Sequence, residues 1–205
     1  MKTLIGIDFG AKLSGATVAA LWREDLDGEK GAVSFFAVPK KQDADAALRE
    51  LLLREEPQIC CIDAPLSLPR VYADSFVASD DYFYRACDRA LGAMSPMFLG
   101  GLTARAMRLC AEIQRKLPQM RAAETYPAAQ ARRLGLRELG GGYKKAKDGI
   151  APALRHIERA ANLLLPENLP DWHHVDAVLA LVAALRLDAG EATFYGDDAE
   201  GVIVI

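Results

Sequence analysis

The chain has 205 residues and a mass of 22.3 kDa. With 51% apolar and 26% charged residues it has ordinary globular composition, which excludes a disordered tail, a collagen and a repeat array. The net charge of −3 conceals an asymmetry: Arg85 to Arg159 holds 15 Lys/Arg against 6 Asp/Glu, and the remainder holds 10 basic and 22 acidic residues. A basic middle offers one face to a polyanion or forms a solvated helical surface. The four cysteines, at 60, 61, 87 and 110, have neither disulfide-framework nor zinc-site spacing, which fits a reducing cytoplasm. Met1-Lys2-Thr3 leads into too short an apolar run for a signal peptide, and Ala177 to Leu185 is too short to span a membrane.

Leu4 to Ile7 is a buried-strand run ending in Asp8-Phe9-Gly10. Ala16 to Trp22 and Ala32 to Val38 are two further strands, with a turn signal at Asp27-Gly28. Together they predict an antiparallel meander. Asp43 is placed to cap a helix in which Ala44, Ala47, Leu48, Leu51 and Leu52 recur at helical spacing. Ile59 to Asp63 does not alternate, as expected of a strand buried on both faces, and Ala64-Pro65 stops it. The helical crossover makes this fourth strand parallel to a neighbour. The class is therefore α/β.

The stretch from Leu66 to Met120 is less regular, and Gly92 to Gly101 has loop composition. Leu102, Ala106, Leu109, Cys110, Ile113 and Leu117 mark a helix face, with Arg105, Arg108, Arg115 and Lys116 opposite. Ala122 to Tyr126 is a short fifth strand, and Pro127 opens a helix. Gly140 to Gly142 is a flexible break before Lys144-Lys145. Pro152 to Leu165 has helical period. Asp171 caps a last long helix from Trp172 to Leu187, closed by Gly190, and Val202 to Ile205 adds an edge strand that two copies can pair across in a homodimer. The whole of 1–205 forms one domain, with a helical insert at about 66–121.

Asp8 and Asp63 each end an apolar strand, at the edge where open α/β sheets hold ligands. If their strands are parallel neighbours, the two carboxylates sit about one strand spacing, roughly 5 Å, apart. A pair of Mg²⁺ ions relieves that repulsion and suits phosphoryl transfer; the alternative is two turn-capping acids. Glu124 is a charge inside a short apolar strand. Asp176 lies in an apolar helix and points inward or to its rim, where it is satisfied by a metal, by His173 or by a backbone amide. His173 and Asp176 share a helix face, but His173 and His174 are left outside the candidate set because first-turn histidines are usually solvated.

Several strings occur in a particular order: Ile5 to Gly10, Ile62-Asp63-Ala64-Pro65-Leu66-Ser67-Leu68-Pro69, Arg85 to Arg89, Glu124-Thr125-Tyr126-Pro127 and Asp176-Ala177. Together they resemble a predicted-nuclease family with a ribonuclease H-like fold, domain of unknown function 429. The resemblance runs nearly end to end, and the string from Ile62 to Pro69 is its most specific part. It implies a five-stranded mixed sheet, three strands antiparallel and two parallel, flanked by helices. It further implies a metal-dependent phosphodiester hydrolase acting on nucleic acid, DNA or RNA. Asp8, Asp63, Glu124 and Asp176 would be both catalytic acids and ligands of two Mg²⁺ or Mn²⁺ ions. One departure stands out: Leu179 replaces a second acid that the family often carries in its last helix.

Arg85, Arg89, Lys144 and Lys145 are placed to grip the phosphate chain. For Lys144-Lys145 the alternative is a solvated loop, and for Arg85 and Arg89 a structural ion pair with Asp88. Two other functions compete. A non-catalytic binder of nucleic acid or protein is favoured by Leu179 and the net negative charge. A phosphotransferase of the actin–sugar-kinase type shares an Asp-x-Gly turn but normally needs a second such domain.

Overall fold

The computed structural model describes residues 2–24, 31–73, 81–139 and 142–205. The turn expected at Asp27-Gly28, and the Gly140-Gly141 part of the expected glycine break, lie outside them. Among the described residues there are seven strands in one mixed sheet, and seven α-helices. Strands β1 (Thr3–Asp8), β2 (Val18–Arg23) and β3 (Val33–Ala37) form the antiparallel meander. Helix α1 (Ala44–Glu55) then crosses over to β4 (Ile59–Asp63), which pairs parallel with β1. Asp43 caps α1 by accepting from the backbone N–H groups of Asp45 and Ala46 at 3.0 and 3.2 Å.

Between β4 and β5 (Arg121–Thr125) the chain is helical: a 3₁₀ turn at Arg70–Tyr72, then α2 (Ala86–Leu91), α3 (Pro96–Leu99) and α4 (Gly101–Lys116). The stretch expected as a loop from Gly92 to Gly101 thus contains a helical turn, with the Ser95 hydroxyl accepting from the Met97 N–H and Pro96 in the first turn. Helices α5 (Pro127–Arg133), α6 (Ile150–Ala161) and α7 (Trp172–Asp188) follow. Helix α6 stops short of the expected Leu165 because Asn162 turns into the left-handed region at φ 52°. Among the described residues no helix is long and apolar enough to cross a membrane.

The sheet order is β3-β2-β1-β4-β5-β7-β6. The expected five strands become seven because the C-terminal segment folds as a hairpin of β6 (Phe194–Asp197) and β7 (Gly201–Val204). Strand β7, expected at the edge, pairs parallel with β5, and β6 is the edge instead.

Two apolar layers cover the sheet. Period-two alternation sends Leu4 and Cys61 to one face, under α6 and α7, and Ile5, Ile7, Cys60 and Ile62 to the other, under α1 and α4. Helix α7 lies directly on β1 at Gly6. A Cβ there would meet the backbone nitrogen of Leu181 at 1.9 Å and the carbonyl oxygen of Ala177 at 2.5 Å. Any side chain at residue 6 would lift the helix from the strand. This close approach brings the first turns of α7 to the carboxyl end of β1.

Candidate metal centre

Strands β1 and β4 end together, with Asp8 opposite Asp63 in register. Both acids fall on the parity of Leu4 and Cys61, the face that α7 covers. Asp176, one turn into α7, faces them across the Gly6 contact. One carboxylate oxygen from each of Asp8, Asp63 and Asp176 lies within 4.8 Å of the others. Asp8 and Asp176 are buried and Asp63 is half-buried. Three clustered hard oxygen donors form a group that can hold a metal ion.

Electrostatics agree with that crowding. Burial, reinforced by Asp8 and Asp176, drives the Asp63 carboxyl well above the ordinary aspartate range. Burial likewise pushes Asp176 up to about 6, against the pull of Lys144. Concentrated negative charge without compensation is costly, and a divalent cation relieves it.

Protein groups supply part of the compensation. The Tyr143 hydroxyl donates to Asp176 Oδ1 at 2.5 Å, and the Lys144 ammonium pairs with Asp176 Oδ2. Burial works against the charged form of Lys144, but Asp176, Asp8 and Asp63 outweigh it and raise its pKa. Lys144 holds this position at φ 59°, a left-handed conformation unusual for lysine. His173 places Nδ1 2.7 Å from Asp8 Oδ2, and that hydrogen bond raises the histidine's pKa. A first-turn histidine is usually solvated, which keeps His173 outside the expected site, although its spacing three residues before Asp176 is the signal that points to it. His174 turns away: its Nδ1 lies 2.7 Å from Asp171 Oδ1, and its ring stands 5.5 Å from that of Phe35.

Two expectations are corrected. Glu124, expected as a fourth metal ligand, pairs in register with Ile62 rather than Asp63. One step of register puts its side chain on the opposite face of the sheet. There both its oxygens accept from Arg85 at 2.6 Å, and Oε2 also accepts from the Leu66 N–H at 2.9 Å. Arg85, expected to grip phosphate, is fully buried. Its five guanidinium N–H donors are all engaged, by Asp88 twice, Glu124 twice and the Ser67 hydroxyl. The pair therefore staples the insert to β5 and leaves no donor for a ligand.

Of the other expected phosphate contacts, Arg89 is exposed and bonds Asp81 at 2.8 and 3.0 Å. Lys144 reaches the acid cluster directly, and Lys145 is exposed beside it. Leu179, at the place of the second helix acid, is fully buried in the layer between α7 and the sheet. All four cysteines are free and buried. Comparison of the chain with protein-family models and with curated protein sequences found no match.

Proposed function

We propose that this protein is a metal-dependent phosphodiester hydrolase acting on nucleic acid, built on a ribonuclease H-like sheet. The observation that carries the reading is the meeting of Asp8, Asp63 and Asp176 within 4.8 Å at the carboxyl ends of β1 and β4. The order β3-β2-β1-β4-β5, with β2 antiparallel to β1 and with β4 and β5 parallel to it, supports the fold assignment. The β6–β7 hairpin extends that core.

Asp8, Asp63 and Asp176 would hold the divalent cation, Mg²⁺ or Mn²⁺. What bound cations supply in such a site is an activated water and relief of charge on the phosphodiester. In the hydrolysis the water oxygen bonds to phosphorus, the ester P–O bond breaks, and the departing oxygen takes up a proton. His173 orients Asp8 through Nδ1 and is exposed enough to exchange a proton with solvent. Lys144 holds a positive charge beside Asp176, where an incoming phosphate would sit. Tyr143 fixes the Asp176 carboxylate from its other oxygen. Glu124 and Arg85 support the insert.

The test is a panel of labelled DNA and RNA substrates incubated with Mn²⁺. Wild type cuts at least one of them, and Asp8→Asn lowers the rate at least about 100-fold, as loss of a metal-binding carboxylate should. Equal cutting by both would remove the reading. Two observations favour a second reading, a non-catalytic binder: Lys144 already offers Asp176 a cation, and Leu179 supplies no further acid. Metal binding without cleavage of any substrate in the panel would select that alternative.

A further inference from the structure

Beside the acids opens a cleft of about 230 Å³, lined on its apolar side by Pro65, Met94, Leu99 and Tyr126. It is smaller than the roughly 300–1,000 Å³ of sites for drug-sized ligands, which suits one planar ring system. Asp8 and Asp63 line the cleft too. Its other polar groups are engaged: Glu124 is held by Arg85, and the Thr125 hydroxyl donates to the Val204 carbonyl at 2.8 Å. Apart from the acids, the cleft therefore offers surfaces for ring faces and little that reads base edges.

Phe98, next in the chain to the cleft-lining Leu99, is 63% exposed and belongs to an aromatic ledge. The Phe98 ring packs 5.5 Å from that of Phe83, itself 51% exposed, and Tyr84 meets it edge-on at 5.8 Å. The Arg89 guanidinium lies 3.8 Å above the Tyr84 ring, and Arg132 sits 5.8 Å from the ring of Tyr126. Large apolar side chains exposed side by side are a feature of binding faces. Here Arg89, which also pairs with Asp81, and Arg132, which also donates to the Leu91 carbonyl, rest on the rings that border it, within the chain segment carrying the positive surplus. A fitting occupant has flat apolar faces and negative charge. Unpaired bases on a phosphate chain have both, whereas a duplex hides its base faces in the stack.

We infer that the cleft and the Phe83–Phe98 ledge bind single-stranded nucleic acid, one unpaired base seated beside the acids and the next stacked on Phe98. This rests on the phosphodiester reading and narrows its substrate. Sequence preference is weak, because stacking tolerates every base.

The test is fluorescence anisotropy with a labelled single-stranded oligonucleotide of mixed sequence and with its blunt duplex. Ca²⁺ replaces Mn²⁺ to slow cleavage. The single strand binds at least about tenfold tighter than the duplex, and Phe98→Ala and Met94→Ala each weaken it about 5- to 100-fold, the range for loss of one stacked base. Both side chains are largely exposed, and circular dichroism checks that the variants remain folded. Equal affinity for strand and duplex, no oligonucleotide binding, or unchanged affinity in both variants overturns the inference. So does a homodimer, seen by sedimentation, that Phe98→Ala dissociates, since a second copy then covers the ledge. Cleavage of duplex in Mn²⁺ that Asp8→Asn abolishes would sink this inference and leave the phosphodiester reading standing.

Discussion

Arg85→Met is expected to lower the thermal midpoint of the protein by about 6–20 °C. Removing one partner of a buried ion pair costs about 3–5 kcal/mol, and a domain of this size shifts about 2–4 °C per kcal/mol. The cost arises because Asp88 and Glu124, 1% and 6% exposed, would be left without the guanidinium that fills their lone pairs. Lysine is no substitute, since one ammonium cannot make two bidentate contacts at once. Thermal unfolding followed by circular dichroism measures the loss. The double variant Arg85→Met with Glu124→Gln should recover part of it, because it removes one of the stranded charges. An exposed, substrate-gripping arginine would behave otherwise: its loss would leave the midpoint within about 2 °C, as surface substitutions do.

The second large effect has the opposite sign. Asp63→Asn should raise the midpoint of the metal-free protein at neutral pH while abolishing its stabilisation by Mn²⁺. In the folded chain Asp63 and Asp176 bind protons more tightly than ordinary aspartates, chiefly because they are buried. A raised pKa in the folded state stabilises at low pH. That contribution is complete below the unfolded value of 3.8 and is lost as pH rises through about 6 for Asp176, on the order of 2–3 kcal/mol. His173, raised by Asp8, acts in the same direction above its ordinary 6.5. The acid cluster therefore makes the metal-free protein more stable in mild acid than at neutral pH, and Asp63→Asn flattens that dependence. A cluster whose charges were fully compensated by Lys144 and Tyr143 would give an unchanged or lowered midpoint on the same substitution.

The elements that build the acid cluster were legible because each carries a strong local signal. Strands β1 and β4 are apolar runs closed by an acid and a chain-bending residue, and the α1 crossover makes them parallel. Helix α7 is marked by its Asp171 cap, whose side chain accepts from the His174 N–H at 3.1 Å. The side assigned to Glu124 was not legible. Strand β5 pairs small residues, Ala122 and Ala123, with β4, and these give no alternation to fix its register. Arginine is rarely fully buried, so composition assigned Arg85 to the surface. Its spacing to Asp88, which suggested an ion pair, was the better guide. Helices α2 and α3 are too short for periodicity to reveal, and β6 is mostly exposed and has no apolar run. The long-range partners of Lys144 and Tyr143 depend on how the chain returns over the sheet, which no local pattern encodes.

Everything functional rests on Asp8, Asp63 and Asp176 acting together as ligands for a divalent cation. Calorimetric titration of Mn²⁺ into the protein at neutral pH tests this most directly. Wild type should show saturable binding, and Asp8→Asn and Asp63→Asn should each weaken it at least about tenfold, as loss of a carboxylate ligand does. No binding by wild type, or the same affinity in all three proteins, would contradict it.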